Sequence, residues 1–170
     1  MKREIKKDNS LAYLELFFPI HYRVGITIED VLGSGTLTRQ QTCILWMIHT
    51  RGEHGRVLKR KEIEQALLSW YEVTSSAVSK ALRQLAKPPL NMLEIVEDPA
   101  SGREKLIHLT DAGQTFIENA IDNGTELMHW MTSKLTDEEV NQGIHFLTRV
   151  SEIFDELPDE MRALVSKGAD

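Results

Sequence analysis

From Leu11 to Val31 the chain is dense in apolar positions: Leu11, Leu14, Phe17, Phe18, Ile20, Tyr22, Val24, Ile28 and Val31. This density suits helices packed on one or more sides. Pro19 interrupts the stretch, and because proline is tolerated in a first helical turn but kinks an interior one, either two helices meet here or one bends. "GSGTLT" reads as a loop. Thr38 then has the chemistry to cap a helix beginning "RQQTCILWMIHTRG", with Gln41 as the other half of a capping box and Gly52 as its stop.

The next pattern, "HGRVLKRKEIEQALLSW", predicts a short extended piece at Val57 and Leu58 leading into a helix whose Ile63, Ala66, Leu67 and Trp70 recur at helical spacing. After a short turn at "YEV", Thr74 caps a second helix, "SSAVSKALRQLAK", that Pro88 and Pro89 forbid to continue. Two helices joined by a tight turn outline a helix-turn-helix. "NMLEIVEDPASGREKLIHLT" has β-rich arms around a Pro-Ala-Ser-Gly tip, the pattern of a hairpin. Long helical periodicity returns over "DAGQTFIENAIDNGTELMHWMTSKL". It returns again from Thr136, where "TDEE" supplies a capping box and Pro158 marks the end.

Charge changes this picture in one place. The formal net charge is -6, yet residues 39 to 110 hold a surplus of Lys and Arg while residues 111 to 170 are strongly acidic. A polyanion would be met by the middle of the chain, because local potential steers binding more than net charge does. Residues 73 to 87, "VTSSAVSKALRQLAK", contain no carboxylate at all. At about 100° per residue, Lys80, Arg83 and Lys87 fall within roughly 40° of Ser76, and Val78, Leu82 and Leu85 gather opposite. One face can pack while the other offers hydroxyls and cations to phosphate and base edges. No apolar run is long enough to cross a bilayer and the start of the chain lacks the pattern of a secretion signal, which points to the cytoplasm. The single cysteine, Cys43, fits a reducing compartment and lies in an apolar run that suits a buried, inert thiol. The six histidines show no metal-ligand spacing, and no phosphate-binding glycine loop or nucleophile elbow is present. Neither a metal, a cofactor nor an enzymatic activity is therefore expected.

Together these elements predict a mainly α protein with a small β-hairpin wing, a winged helix-turn-helix. The segments "LTRQQTCILWMIHTRG", "KEIEQALL" with "TSSAVSKALRQL", and "EDPASGREKLIHLTDAG" followed by two long helices resemble the MarR family of bacterial transcriptional regulators, from about Thr38 to Leu157. Arg103, Leu109, Thr110 and Gly113 match the wing signature of that family. Ser101 stands where its wing acid is expected, Gly102 replaces a frequent basic residue, and "KPPLNM" and "SWYEV" are longer than its usual turns.

The resemblance implies N- and C-terminal dimerisation helices (residues 1–37 and 111–170) around a DNA-binding lobe (residues 38–110), and a homodimer on a pseudo-palindromic duplex. The surplus of apolar residues from Phe116 to Phe154 independently asks for a partner surface. On this reading Thr74, Ser75, Ser76, Ser79 and Lys80 read bases or fix register. Arg83, Lys87 and Lys105 contact phosphate, and Arg103 enters or clamps the minor groove. The protein is then a regulator, by expectation a repressor, released by a small aromatic or phenolic ligand for which Tyr22, Trp46 and His49 are the candidate lining. Net acidity and the altered wing keep open an alternative, a winged-helix protein-interaction module that has lost DNA binding.

Overall fold

The computed structural model describes residues 9–71, 73–158 and 161. The chain divides into two compact units, residues 1–126 and 127–170. The first begins with α1 (Ser10–Pro19), passes through a π-helical stretch (Ile20–Gly25) and resumes as α2 (Ile26–Gly33). Of the two outcomes open at Pro19, the chain takes the continuous one. Proline lacks the donor that an interior helical position needs, and the widened turns follow directly after it. Ser34, left-handed at φ 49°, ends α2.

The helix α3 (Arg39–Arg51) starts with the capping box expected of Thr38 and Gln41, and the Arg39 guanidinium reaches back to Glu29 of α2 at 3.0 Å. β1 (Val57–Lys59) leads into α4 (Arg60–Trp70), and α5 (Ser75–Leu85) follows the turn. β2 (Leu93–Asp98) and β3 (Ser101–Leu109) form the hairpin, whose tip is fixed by the Ala100 amide donating to Asp98 Oδ1 at 2.9 Å. The hairpin is part of a three-stranded antiparallel sheet in the order β1-β3-β2, with Leu58 opposite Ile107 and Ile95 also opposite Ile107 on the other side. The pairing of β1 was not expected from its extended pattern. Two-stranded hairpins are marginal alone, and the third strand ties the wing to the start of α4.

The core is built where these elements converge. Ile44, Leu45 and Ile48 of α3, Ile63 and Leu67 of α4, Val78, Leu82 and Leu85 of α5, Ile107 of β3 and Ile117 of α6 (Asp111–Thr132) form one buried cluster. Burying each such aliphatic side chain contributes about 1.5–3 kcal/mol, so this cluster fixes the position of α5 relative to the sheet.

The second unit holds the last turns of α6 and then α7 (Asp137–Asp155), which opens with the expected capping box of Thr136 and Glu139. No residue of α7 is buried, and Leu147 and Phe154 are 65% and 64% exposed. In the first unit α1 is equally bare, with Leu14 and Phe18 at 68% and 67%. No described helix is long and apolar enough to cross a membrane.

Candidate nucleic-acid interface

The amphipathic pattern of α5 is realised in its burial. Val78, Ala81, Leu82 and Leu85 face the core, while Ser75, Ser76, Lys80, Arg83 and Lys87 are exposed. Thr74 caps the helix as expected, its hydroxyl oxygen accepting from the Ala77 amide at 3.2 Å and lying 3.3 Å from the Ser76 hydroxyl. With no acid in its first turn, the amino end of α5 keeps its partial positive charge facing outward.

Ser79 is placed differently from its neighbours. Its hydroxyl donates to the Ser75 carbonyl at 2.8 Å and accepts from Nη2 of Arg60 at 2.8 Å. A serine hydroxyl has one proton, so Ser79 has no donor left for a base edge. Arg60 is the first residue of α4 and was not among the residues singled out in the sequence.

Two broad clefts flank α5. One of about 700 Å³ is lined by Thr38, Gln41, Lys80, Arg83, Gln84 and Lys87, together with the Pro88-Pro89 turn. The other, about 830 Å³, has Arg39, Gln40, Tyr71 and Ala77 in its wall and shares Thr38, Lys80 and Gln84 with the first. The side-chain amide of Gln41 donates to Gln84 Oε1 at 3.4 Å, linking the start of α3 to α5. Neither wall contains a carboxylate, so a polyanion lying along α5 meets cations, neutral polar groups and apolar surface but no like charge in them.

On the wing, Arg103 and Lys105 alternate along β3 and both are exposed, whereas Glu104 between them turns to Lys59 at 3.6 Å. Lys105 also borders a smaller cleft of about 140 Å³ whose wall is completed by Arg60, Ser79, Leu82, Arg83 and Ile95. The fold thus joins the wing to the helix-turn-helix at this point. Arg103 is in the wall of none of these clefts and stands nearer the hairpin tip.

Tyr22, Trp46 and His49 are in the wall of none of the clefts just described. Tyr22 lies against Phe18 and His21 within its own helical segment, with ring centroids 4.7 Å apart in each case. Trp46 is exposed, and His49 is half-buried with Nδ1 enclosed. Cys43 is half-buried, and burial pushes its thiol up from the ordinary value, opposed by the hydroxyl of Tyr71, which hydrogen-bonds it. Among the described residues no group of His, Cys, Asp or Glu could hold a metal ion.

Residues 37–113 match the family model described as a winged helix DNA-binding domain. No curated protein sequence matches the chain. Among solved structures, the chain has the fold of MarR-type winged-helix regulators, including their N- and C-terminal helices. The crystal structure of MarR is 19% identical and superposes with a TM-score of 0.63, covering 85% of this chain and 98% of that one. MepR, a transcription regulator of the Staphylococcus aureus multidrug efflux pump MepA, is 24% identical with a TM-score of 0.63 over 84% of this chain and 98% of its own. A cysteine-to-serine mutant of Escherichia coli MarR, solved in complex with operator DNA, is 21% identical with a TM-score of 0.62, over 85% and 98%.

Proposed function

We propose that this chain is a dimeric, sequence-specific DNA-binding transcriptional regulator that acts as a repressor in the cytoplasm. The observation that carries this reading is the outer face of α5, where hydroxyls and the cations Lys80, Arg83 and Lys87 stand exposed without a carboxylate in a chain of net charge -6. That helix presents its capped amino end outward, as a helix entering a major groove must. Thr74, Ser75, Ser76 and Lys80 read bases or fix register. Arg83, Lys87 and Lys105 meet phosphates, and Arg103, near the wing tip, reaches the adjacent minor groove, where narrow A·T-rich segments favour arginine. Support also comes from the match to a winged helix DNA-binding domain and from the operator complex of a structural neighbour.

Two copies joined through the exposed apolar helices would present two such heads to a pseudo-palindromic duplex. Release by a small aromatic or phenolic ligand, for which Tyr22, Trp46 and His49 are the candidates, would act by changing the spacing of the heads. A structural neighbour, BpsR of Bordetella bronchiseptica, has its DNA binding regulated by 6-hydroxynicotinic acid.

The test is selection of duplex fragments from the source genome, followed by fluorescence anisotropy over a salt series. Each phosphate contact steepens the log-log slope by about 0.9, and Arg103→Ala is expected to lower affinity for all sequences together with that slope. Failure to retain any duplex, with capture of a stable protein partner, would instead favour the protein-interaction module.

A further inference from the structure

Arg60, Ser79, Arg83 and Lys105 come from three separate elements and close around one small cleft. α4 supplies Arg60 from its first position, α5 supplies Ser79 and Arg83 one turn apart, and β3 supplies Lys105 from the wing. The remaining wall is aliphatic, from Leu82 and Ile95, and no carboxylate enters it. Glu64, one turn along the same helix, pairs with Nη2 of Arg60 at 4.0 Å, an ion-pair distance too long for a hydrogen bond. Three positive groups stand around about 140 Å³ and repel one another; the hydroxyl of Ser79 holds Nη2 of Arg60 at 2.8 Å, and Glu64 offsets its charge from outside the cleft wall. Nε of Arg60 is buried without a hydrogen-bond partner among the described residues. An anion entering the cleft meets a guanidinium whose one hydrogen bond among the described residues is to a neutral hydroxyl, and charge-assisted bonds to phosphate are the stronger kind.

We infer that this cleft is a seat for one backbone phosphate of duplex DNA, with Arg60 as its principal ligand and Ser79 as the residue that positions Arg60. The inference rests on the DNA-binding reading and extends it to a residue outside the recognition helix. Its three cationic side chains, with no carboxylate among them, suit an anion, and its place between α5 and the wing is where one strand must pass if the helix lies in one groove and the hairpin reaches the next. Lys105 and Arg83 then share that phosphate or flank it, which couples the position of the wing to that of the helix. Ser79 contributes without touching DNA. Its one proton is spent on Ser75, and it orients the guanidinium fork whose planar geometry matches a phosphate.

The test uses the full-length protein, its selected duplex and four variants, Arg60→Ala, Arg60→Lys, Ser79→Ala and the Arg60→Ala/Ser79→Ala double mutant, each checked for a native thermal melt. Arg60→Lys keeps the charge and serves as the fold-preserving second variant. Arg60→Ala is expected to lower affinity equally for all duplex sequences and to make the salt slope shallower by about 0.9. Ser79→Ala is expected to weaken binding by about tenfold without changing sequence preference, and to have little further effect in the Arg60→Ala background. Arg60→Lys should hold the slope while losing part of the affinity. A duplex series with one phosphate at a time replaced by methylphosphonate should contain one linkage that matters to the wild type and not to Arg60→Ala. A wild type that binds with an unchanged slope in Arg60→Ala, or a Ser79→Ala that alters base preference, overturns the phosphate seat while leaving DNA binding intact. A wild type that binds no duplex overturns both.

Discussion

The carbonyl oxygen of Met92 stands 2.1 Å from the place a Cβ on residue 113 would occupy, so only glycine lets α6 begin where it does. The same carbonyl accepts the Thr110 amide at 3.1 Å. The Thr110 hydroxyl donates to the Asn91 carbonyl at 2.7 Å and accepts from the Gly113 amide at 3.1 Å. The Leu-Thr-x-x-Gly run is thus a junction that locks the end of β3, the entry to β2 and the first turn of α6 together. Gly113→Ala must move backbone rather than a side chain, and is expected to destabilise the protein by about 1–3 kcal/mol in urea unfolding. Gly102→Ala on the wing, where nothing lies within 4 Å of the added carbon, is expected to change stability by less than about 0.5 kcal/mol. Equal effects at the two sites would remove the junction argument.

Leu109, Thr110 and Gly113 stood out in the sequence only through the resemblance, while the hydrogen bonds that join them to Asn91 and Met92 come from the fold; caps built from neighbouring residues were legible directly, because their parts are local. The caps at Thr38, Thr74 and Thr136 were legible for the same reason, and so was the two-faced character of α5, whose buried and exposed residues follow its periodicity. What was not legible depends on contacts distant along the chain. The three residues of β1 carry no signal for a partner some fifty positions away, yet they pair with Leu106 to His108. Arg60 looked like any cation in "LKRKE", indistinguishable from Lys61, until the fold brought it to Ser79. A usable signal existed: in two helices joined by a short turn, the start of the first passes beside the body of the second, so its first cation is a candidate neighbour.

Glu139 accepts hydrogen bonds from both the amide and the hydroxyl of Thr136, and these hold its carboxyl below the ordinary range. A depressed folded value means the stabilisation is present above the unfolded value and lost as pH falls through the folded one. Thr136→Ala should therefore weaken the first turn of α7 at neutral pH and matter less in acid, where Glu139 is protonated in either protein. Amide hydrogen exchange of residues 138–141 across that range measures it. A Thr136→Ala effect that stays constant down to acid pH would show the charge on Glu139 to be irrelevant.

Burial first, and the neighbouring Cys43 second, push the Tyr71 phenol up to about 12. Its folded value lies above its ordinary one of about 10, so the fold favours the neutral phenol. The resulting stabilisation is complete below the ordinary value and is lost as pH rises toward 12. Alkaline absorbance titration should show one of the three tyrosines ionising late, and Tyr71→Phe should remove that phase. Because the Tyr71 hydroxyl lowers the Cys43 thiol against the effect of burial, Tyr71→Phe should also slow alkylation of Cys43 near pH 8. Faster alkylation would mean that access, not ionisation, governs this thiol.

Leu14 and Phe18 on α1, and Leu147 and Phe154 on α7, are each roughly two-thirds exposed, a condition that soluble chains rarely keep over contiguous patches. Pairing of two chains would remove this surface from water at about 25 cal/mol per Å², and the cost of inserting a carboxylate into such a contact is larger than that of placing it in solvent. Light scattering on the wild type is expected to give twice the chain mass of 19.4 kDa. Leu14→Glu and Leu147→Glu should each lower the mass toward one chain and weaken duplex binding together, since a single head forfeits the second half-site. Leu68→Glu is the control. That residue is 44% exposed but lies on α4, outside both apolar helices, so its mass should not change. A wild type that scatters as one chain, or mass loss in Leu68→Glu alone, would place the contact elsewhere and deny α1 and α7 this role.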